Sequence, residues 1–95
     1  MKKETKTTNA IYSGKWSEGT ISIPDAKDKT KYTVCRYWVK HYEEGSEWGI
    51  NGGKISKLEI RIDDLNVCSY DRGWDIKPTC TEAELALSIL LNDYN

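Results

Sequence analysis

The side chains best suited to recognition or catalysis are concentrated in the segment Glu43–Gly53. This segment contains four of the seven glycines, three carboxylates and Trp48. A hairpin connection needs only about 2–5 residues, so the extra length and the aromatic residue require another explanation. Because loops carried by a rigid sheet often hold recognition residues, we expect a binding surface here. A purely conformational explanation competes with it: Asn51, Gly52 and Gly53 would supply positive φ angles for a wide turn and a bulge.

A second group of charged and aromatic side chains follows in the segment Tyr70–Asp75. It includes Trp74 and an arginine, and Trp and Arg are common in binding hot spots. If the strands pair in sequential order, both segments lie at the same end of the sheet. The sequence therefore predicts one binding surface formed by Glu44, Glu47, Trp48, Asn51, Asp71, Arg72 and Trp74. The alternative is mutual packing, in which Trp74 covers the sheet edge and Arg72 pairs with Glu47.

Residues with catalytic or metal-binding chemistry are sparse. His41 is the only histidine, and the sequence places no serine or cysteine nucleophile beside it. Cys35 shares its strand face but lies ~20 Å away at ~3.3 Å per residue, so only a dyad assembled from different strands stays open. The cysteines lack zinc spacing, the carboxylates lack a calcium-loop pattern, and the glycines match neither nucleotide-binding motif. We expect no metal, no cofactor and no enzyme activity; a Mg²⁺-dependent enzyme using Glu47 or Asp71 ranks third among the hypotheses.

Composition limits the class of protein and of partner. The 95 residues suffice for one domain with a modest core. A formal net charge of −1 gives no positive excess for a phosphate backbone, so we do not expect nucleic acid as a direct ligand. No apolar run reaches the ~18 residues of a membrane span, and the three cysteines form no Cys-x-x-Cys pair. These features indicate a cytoplasmic protein with reduced thiols and no membrane partner.

The hydrophobic pattern predicts an α+β fold. We expect a flexible segment at residues 1–9 and then a single domain at residues 10–95, an antiparallel meander of about four to five strands with one C-terminal helix packed on one face. The run Lys31–Glu43 carries aromatic residues on both faces, so one sheet face should be covered by the helix and the other partly open. The predicted elements are strands at Ala10–Trp16, Gly19–Ile23, Lys31–Glu43, Lys54–Ile62 and Val67–Tyr70, a turn at Asp63–Asn66 and a helix at Thr81–Tyr94.

Two local patterns refine these elements. Ile55 lies out of phase with the alternating residues of its strand, which indicates a bulge where the chain leaves the glycines. The helix is preceded by a capping-box pattern, Thr79 with Glu82 or Thr81 with Glu84. Its apolar residues fall on one stripe at helical spacing, which is typical of a core-facing helix. The residues of this stripe are Ala83, Ala86, Leu87, Leu90, Leu91 and Tyr94.

Two motifs carry a resemblance to a known group of proteins. They are the core Glu44–Leu58, EGSEWGINGGKISKL, and the segment Tyr70–Asp75, YDRGWD. Together they resemble a family of small uncharacterised proteins carried by phages and mobile elements of Gram-positive bacteria. The resemblance covers roughly the second half of the chain. It implies a short cytoplasmic accessory protein of phage type, and it supplies no reaction, ligand or catalytic residue.

Two functional hypotheses follow from these observations. The first is a non-enzymatic protein that binds and inhibits a macromolecular partner, a host or phage protein such as a CRISPR-type defence nuclease. The second is a small-ligand or nucleotide-binding protein in which Trp48 and Trp74 stack on a base and Arg72 contacts phosphate. In addition, an edge strand near the N-terminus could pair two copies into a homodimer.

Overall fold

The computed structural model describes residues 14–95, and these form a five-stranded antiparallel sheet with one helix. The strand order equals the sequence order, which confirms the predicted meander and the α+β class. The predicted segment 1–9 and most of the predicted strand Ala10–Trp16 lie outside the described residues. The elements are β1 Lys15–Pro24, β2 Tyr32–His41, β3 Ile55–Ile62, β4 Leu65–Asp71, β5 Trp74–Ile76 and the helix α1 Thr81–Tyr94.

The sheet has one buried face and one face without cover from described residues. Residues Cys35 and Val39 of β2 point towards the helix, while Arg36 and Trp38 point away from it, because side chains alternate along a strand. We call the second side the open face. The core between sheet and helix consists of Ile23, Cys35, Val39, Ile50, Ile55, Leu58, Ile60, Val67, Cys68, Tyr70, Ala83, Ala86 and Leu90.

The helix packs as predicted, but its N-terminus is built differently. Ala83, Ala86 and Leu90 are buried, and the remaining stripe residues pack against the core. The N-cap is Cys80, which makes no side-chain capping hydrogen bond, so the predicted capping box is wrong. Thr79 lies one residue before the N-cap and Thr81 one residue after it, so neither can cap the helix. Thr79 instead donates its backbone N–H to Val67 of β4, 3.0 Å away. No described helix is long and apolar enough to cross a membrane.

The connections between strands explain the remaining differences from the prediction. The turn between β3 and β4 is only Asp63 and Asp64, both with positive φ (51° and 65°), as in the tight two-residue hairpin turns. Strand β4 therefore begins at Leu65, inside the predicted four-residue turn. The bulge predicted at Ile55 is confirmed, since the pairing with β2 shifts register there. Strand β5, a short addition of three residues, has no predicted counterpart.

Candidate functional site

The loop Glu43–Gly53 is folded tightly against the end of the sheet. Ile50 is buried in the core and begins a short 3₁₀ turn, Ile50–Gly52. The side chain of Asn95 ties this turn to the sheet. Its Nδ2 donates to the Ile50 carbonyl at 3.0 Å, and its Oδ1 accepts the backbone N–H of Ile55 at 2.9 Å. The end of the helix therefore holds the loop in place.

The glycines of the loop permit close approach of backbone to backbone. A Cβ atom at Gly49 would collide with the carbonyl of Gly53, and one at Gly53 would collide with the Asn95 side chain. Positive φ angles occur at Asn51 (54°) and Gly52 (74°). The conformational interpretation is therefore correct for these two residues, whereas Gly53 is needed for space and has a negative φ of −91°.

Trp48 is displayed by this braced loop. Its backbone N–H donates to Ser46 Oγ at 3.2 Å, and its carbonyl accepts the Tyr70 hydroxyl at 2.9 Å. The residue as a whole is nevertheless 54% exposed. The backbone of Trp48 is thus fixed while its indole remains available to a partner.

The two predicted segments meet at the same end of the sheet, as the strand order predicts. Tyr70 joins them, since its hydroxyl reaches the Trp48 carbonyl and its ring contacts Trp74 edge-on, with centroids 5.1 Å apart. Trp74 is 38% exposed, so it partly covers Tyr70 and partly faces outward. Arg72 lies 3.8 Å from Asp71 in an ion pair. The alternative ion pair between Arg72 and Glu47 is not formed.

A pocket of about 360 Å³ lies between these segments. It brings together three of the seven predicted residues, Glu44, Trp48 and Arg72. The backbone of Arg72 has a positive φ of 57° and donates its N–H to the Ser56 carbonyl at 2.9 Å, which positions its side chain at the rim. We call this the loop pocket; its other lining residues are Tyr42, Gly45, Ser46 and Ser56.

The other four predicted residues lie outside the loop pocket. Glu47 and Asn51 are exposed on the loop, and Asp71 lines the open face. Trp74 packs on Tyr70 instead of facing Trp48. That these residues act together in binding stays a prediction, although Asp71 and Arg72 are consecutive and connect the loop pocket to the open face.

The open face is a second candidate surface, which sequence reasoning did not propose as a site. Trp16 and Trp38 line a broad depression of about 870 Å³ there. The guanidinium of Arg36 lies 5.1 Å from the centroid of the Trp38 ring, a cation–π contact. Arg61 pairs with Glu59 on the same face. The sequence feature that could have indicated this surface is the mixture of aromatic and basic residues at alternate positions of β2.

The charges of the open face are balanced. Its depression is lined by three basic residues and by four acidic residues, so positive charge does not prevail. Binding to a nucleic acid backbone depends on neutralising phosphates with excess Lys and Arg. The arrangement therefore suits a protein surface of mixed charge better than a nucleic acid. The charged residues are Arg36, Lys57, Arg61, Glu59, Asp64, Asp71 and Asp75.

His41 makes a contact that sequence reasoning missed. Ser17 Oγ lies 3.1 Å from His41 Nε2, because the pairing of β1 with β2 places the two residues on the same face. Burial lowers the pKa of His41, and the nearby charges of Lys15 and Lys54 lower it further. A neutral His can activate a serine. Here, however, the Tyr94 ring packs 4.8 Å from the imidazole, and no carboxylate among residues 14–95 is hydrogen-bonded to it. We interpret the contact as structural.

The three cysteines are free thiols. Cys35 and Cys68 are buried, and burial raises the pKa of Cys68 to about 12. Such a thiol is a poor nucleophile because the thiolate is the reactive form. Within residues 14–95, no group of His, Cys, Asp and Glu side chains is close enough to hold a metal ion.

Comparisons with known proteins place the chain in a family. No match was found among curated proteins or among solved structures. Residues 15–95 match a family described as a domain of unknown function, DUF7678. The match begins at the first residue of β1 and includes every strand, the loop and the helix. The chain therefore belongs to the DUF7678 family.

Proposed function

We propose that this protein is a non-enzymatic binding protein whose partner is another protein. The observation that carries the proposal is Trp48, a large aromatic side chain that is 54% exposed on a loop with a fixed backbone. Tryptophan is among the residues most enriched in binding hot spots. Tyr42 and Arg72 beside it in the loop pocket belong to the same enriched set.

Preorganisation of the loop strengthens this interpretation. Ordering a flexible loop on binding costs about 0.5–1.5 kcal/mol for each immobilised side chain. The contacts of Tyr70 and Asn95 have already ordered the backbone at Trp48 and at Ile50, two residues further on. More of the contact energy from the indole would therefore remain as affinity.

Charge indicates what kind of protein surface would fit. Glu43, Glu44 and Glu47 belong to the same loop as Trp48, all three are exposed, and none forms an ion pair with another residue in the range 14–95. A basic surface would complement them and speed association. Proteins that handle nucleic acids carry such surfaces, so a cytoplasmic host nuclease of a CRISPR-type defence system is the specific candidate, which the protein would inhibit by occupying that surface.

A nucleotide is the second candidate ligand, favoured by the combination of Trp48, Tyr42 and Arg72 in one pocket. A base could stack on the indole and a phosphate could contact the guanidinium. However, Trp74 does not line this pocket, so a base would stack on Trp48 alone, and Glu44 would face the phosphate unfavourably. A thermal-shift screen of nucleotides tests this function; stabilisation that is lost in Trp48→Ala would favour it over a protein partner.

The principal test is affinity capture from an extract of the cells that encode the protein, followed by a measured dissociation constant for the identified partner. Trp48→Ala should weaken binding by at least about 30-fold, the equivalent of a hot-spot loss of about 2 kcal/mol. Replacing Glu43, Glu44 and Glu47 by Gln should slow association and reduce its dependence on salt. For a nuclease partner, inhibition of DNA cleavage should be lost in the same variants.

Leu65→Ala is the matched control, because Leu65 is 60% exposed and lies in β4 directly after the turn at the opposite end of the sheet. This variant should bind as tightly as the wild-type protein. Equal affinity of Trp48→Ala and wild type would contradict the proposal. So would a partner that is lost with Leu65→Ala and retained with Trp48→Ala, since it would bind the other end of the molecule.

A further inference from the structure

The strand β1 forms a long edge of the sheet. The strand order places β1 and β5 at the two edges, and β1 has ten residues whereas β5 has three. No strand among residues 14–95 pairs with the outer side of β1. An edge of this length is a template for another strand, because its outward N–H and C=O groups need partners.

Hydrogen bonding identifies which peptide groups face outward. Asp25, directly after β1, donates its backbone N–H to the carbonyl of Lys31 at 3.0 Å, so this N–H points to the β2 side. The register between β1 and β2 is uninterrupted from Lys15 to Pro24. Since the direction alternates along an antiparallel strand, the peptide groups of even-numbered residues face outward. Pro24 is one of these, and its missing N–H leaves no unsatisfied donor at the edge.

We propose that β1 pairs antiparallel with β1 of a second copy of this chain, around a two-fold axis at Thr20. The outward groups of Thr20 would then bond to those of Thr20 in the second copy, and Glu18 would pair with Ser22. The two five-stranded sheets would become one continuous sheet. This inference is independent of the proposed partner protein, because the Trp48 backbone is bonded to Tyr70 of β4, three strands away from β1.

Charge complementarity selects this register. With Thr20 at the axis, Lys15 lies opposite Asp25 of the second copy, and symmetry repeats this ion pair. Asp25 uses only Oδ1 for its turn, where it accepts the N–H groups of residues 27 and 28 at 2.7 and 3.1 Å. A shift of the axis to Gly19 would place Lys15 opposite Ile23, and a shift to Ile21 would place it opposite Lys27. Only the register at Thr20 matches opposite charges.

Apolar surface at the same edge also favours a second copy. Trp16 is 59% exposed and would lie opposite Pro24 of the second copy, on the open face. On the helix side, an apolar groove lies at the C-terminal end of β1, between Ile23 and the helix residues Leu85 and Ile89, which are 48% and 40% exposed. The added strand would lie beside this groove. One occupant thus satisfies the peptide groups and the charges of the edge, and it places Pro24 against the exposed Trp16.

The first experiment measures the mass of the full chain by light scattering after size exclusion, at protein concentrations up to several hundred micromolar. A dimer of twice 10.9 kDa is expected. Thr20→Pro removes an outward N–H without touching the bonds to β2 and should give a folded monomer. Thr33→Pro is not comparable, because Thr33 is paired with Ile23 of β1 inside the sheet. A monomeric wild-type chain, or a dimer unaffected by Thr20→Pro, would overturn the proposal.

Exchanging the charges of Lys15 and Asp25 tests the register, even if one of the two variants folds less stably than the wild-type protein. Lys15→Glu and Asp25→Lys should each dissociate the dimer, because like charges would meet across the axis. An equimolar mixture of the two variants should dimerise again, since each interface then contains two opposite pairs. Failure of the mixture to associate, while wild type remains dimeric, would refute this register.

Disulfide trapping provides a measurement that does not depend on affinity. Directly opposed residues of a hydrogen-bonded pair have Cα atoms about 5.5 Å apart, which suits a disulfide. Thr20→Cys should therefore cross-link with itself on mild oxidation, whereas Ser22→Cys should cross-link only when mixed with Glu18→Cys. Self-linking of Ser22→Cys at an equal rate would show a different register and contradict the proposed axis.

Discussion

Replacing Asn95 should lower the stability of the domain, since its side chain ties the loop Glu43–Gly53 to the sheet. Asn95→Ala removes the hydrogen bonds to the Ile50 carbonyl at 3.0 Å and from the Ile55 N–H at 2.9 Å. Each such bond contributes a net of about 0.5–1.5 kcal/mol, and a buried group left without a partner costs about 1–3 kcal/mol. Ile50 and Ile55 are both buried, so we expect a loss of roughly 2–4 kcal/mol.

Urea unfolding followed by far-UV circular dichroism would measure this loss. For a slope of about 2 kcal/mol per molar urea, the middle of the usual range, the midpoint of Asn95→Ala should fall by roughly 1–2 M. Hydrogen exchange should at the same time show faster exchange of the amides of Gly52 and Gly53, which close the 3₁₀ turn. In this variant the loop should therefore open more often, and the whole domain should unfold at a lower urea concentration.

Asn92→Ala is the control for the helix end. Asn92 is exposed and its side chain reaches only its neighbour Asp93, at 3.5 Å. Its replacement should change the free energy of unfolding by less than about 0.5 kcal/mol, the usual range for surface substitutions. If Asn95→Ala were as mild as Asn92→Ala, the two hydrogen bonds would not hold the loop, and the backbone of Trp48 would not be preorganised by them.

Three further predictions concern the loop, the histidine and the thiols. Gly49→Ala should destabilise the protein by about 1–3 kcal/mol, the usual cost of overpacking, because its Cβ would collide with the Gly53 carbonyl; urea unfolding measures it. Because the pKa of His41 is lowered by burial and two lysines, the unfolded chain binds more protons, so stability should fall as the pH drops below about 6.5. His41→Gln should remove this part of the pH dependence, and an unchanged slope would contradict it. Thiol titration of the native protein should modify Cys80 first, since Cys68 has a pKa of about 12 and is buried; equal rates for all thiols would show that the core opens.

The fold was predictable because its signals are local. Alternation in β3 identified the strand, and the phase error at Ile55 located the bulge that the register shift confirms. The helix was placed at its observed limits, Thr81–Tyr94. Its cap was not, because the hydrogen bond between Thr79 and Val67 depends on tertiary structure and overrides the local capping pattern.

The site was predictable only in part. Strand order was enough to bring Trp48 and Arg72 to the same end of the sheet. The contacts of Asn95 with Ile50 and Ile55 join residues 45 and 40 positions apart, and no periodic or motif signal reports such contacts. The pair of Ser17 and His41 was missed for the same reason, since it depends on the register between two strands.

The two proposals together have a consequence for stoichiometry. A two-fold axis at Thr20 reverses the strand direction between the copies, so each Trp48 would lie at an opposite end of the joined sheet. A single compact partner could not contact both loops, and a dimer should therefore bind two partner molecules independently. Linked binding, with one partner per dimer, would require the loops to share an end, and that arrangement is incompatible with antiparallel pairing through β1.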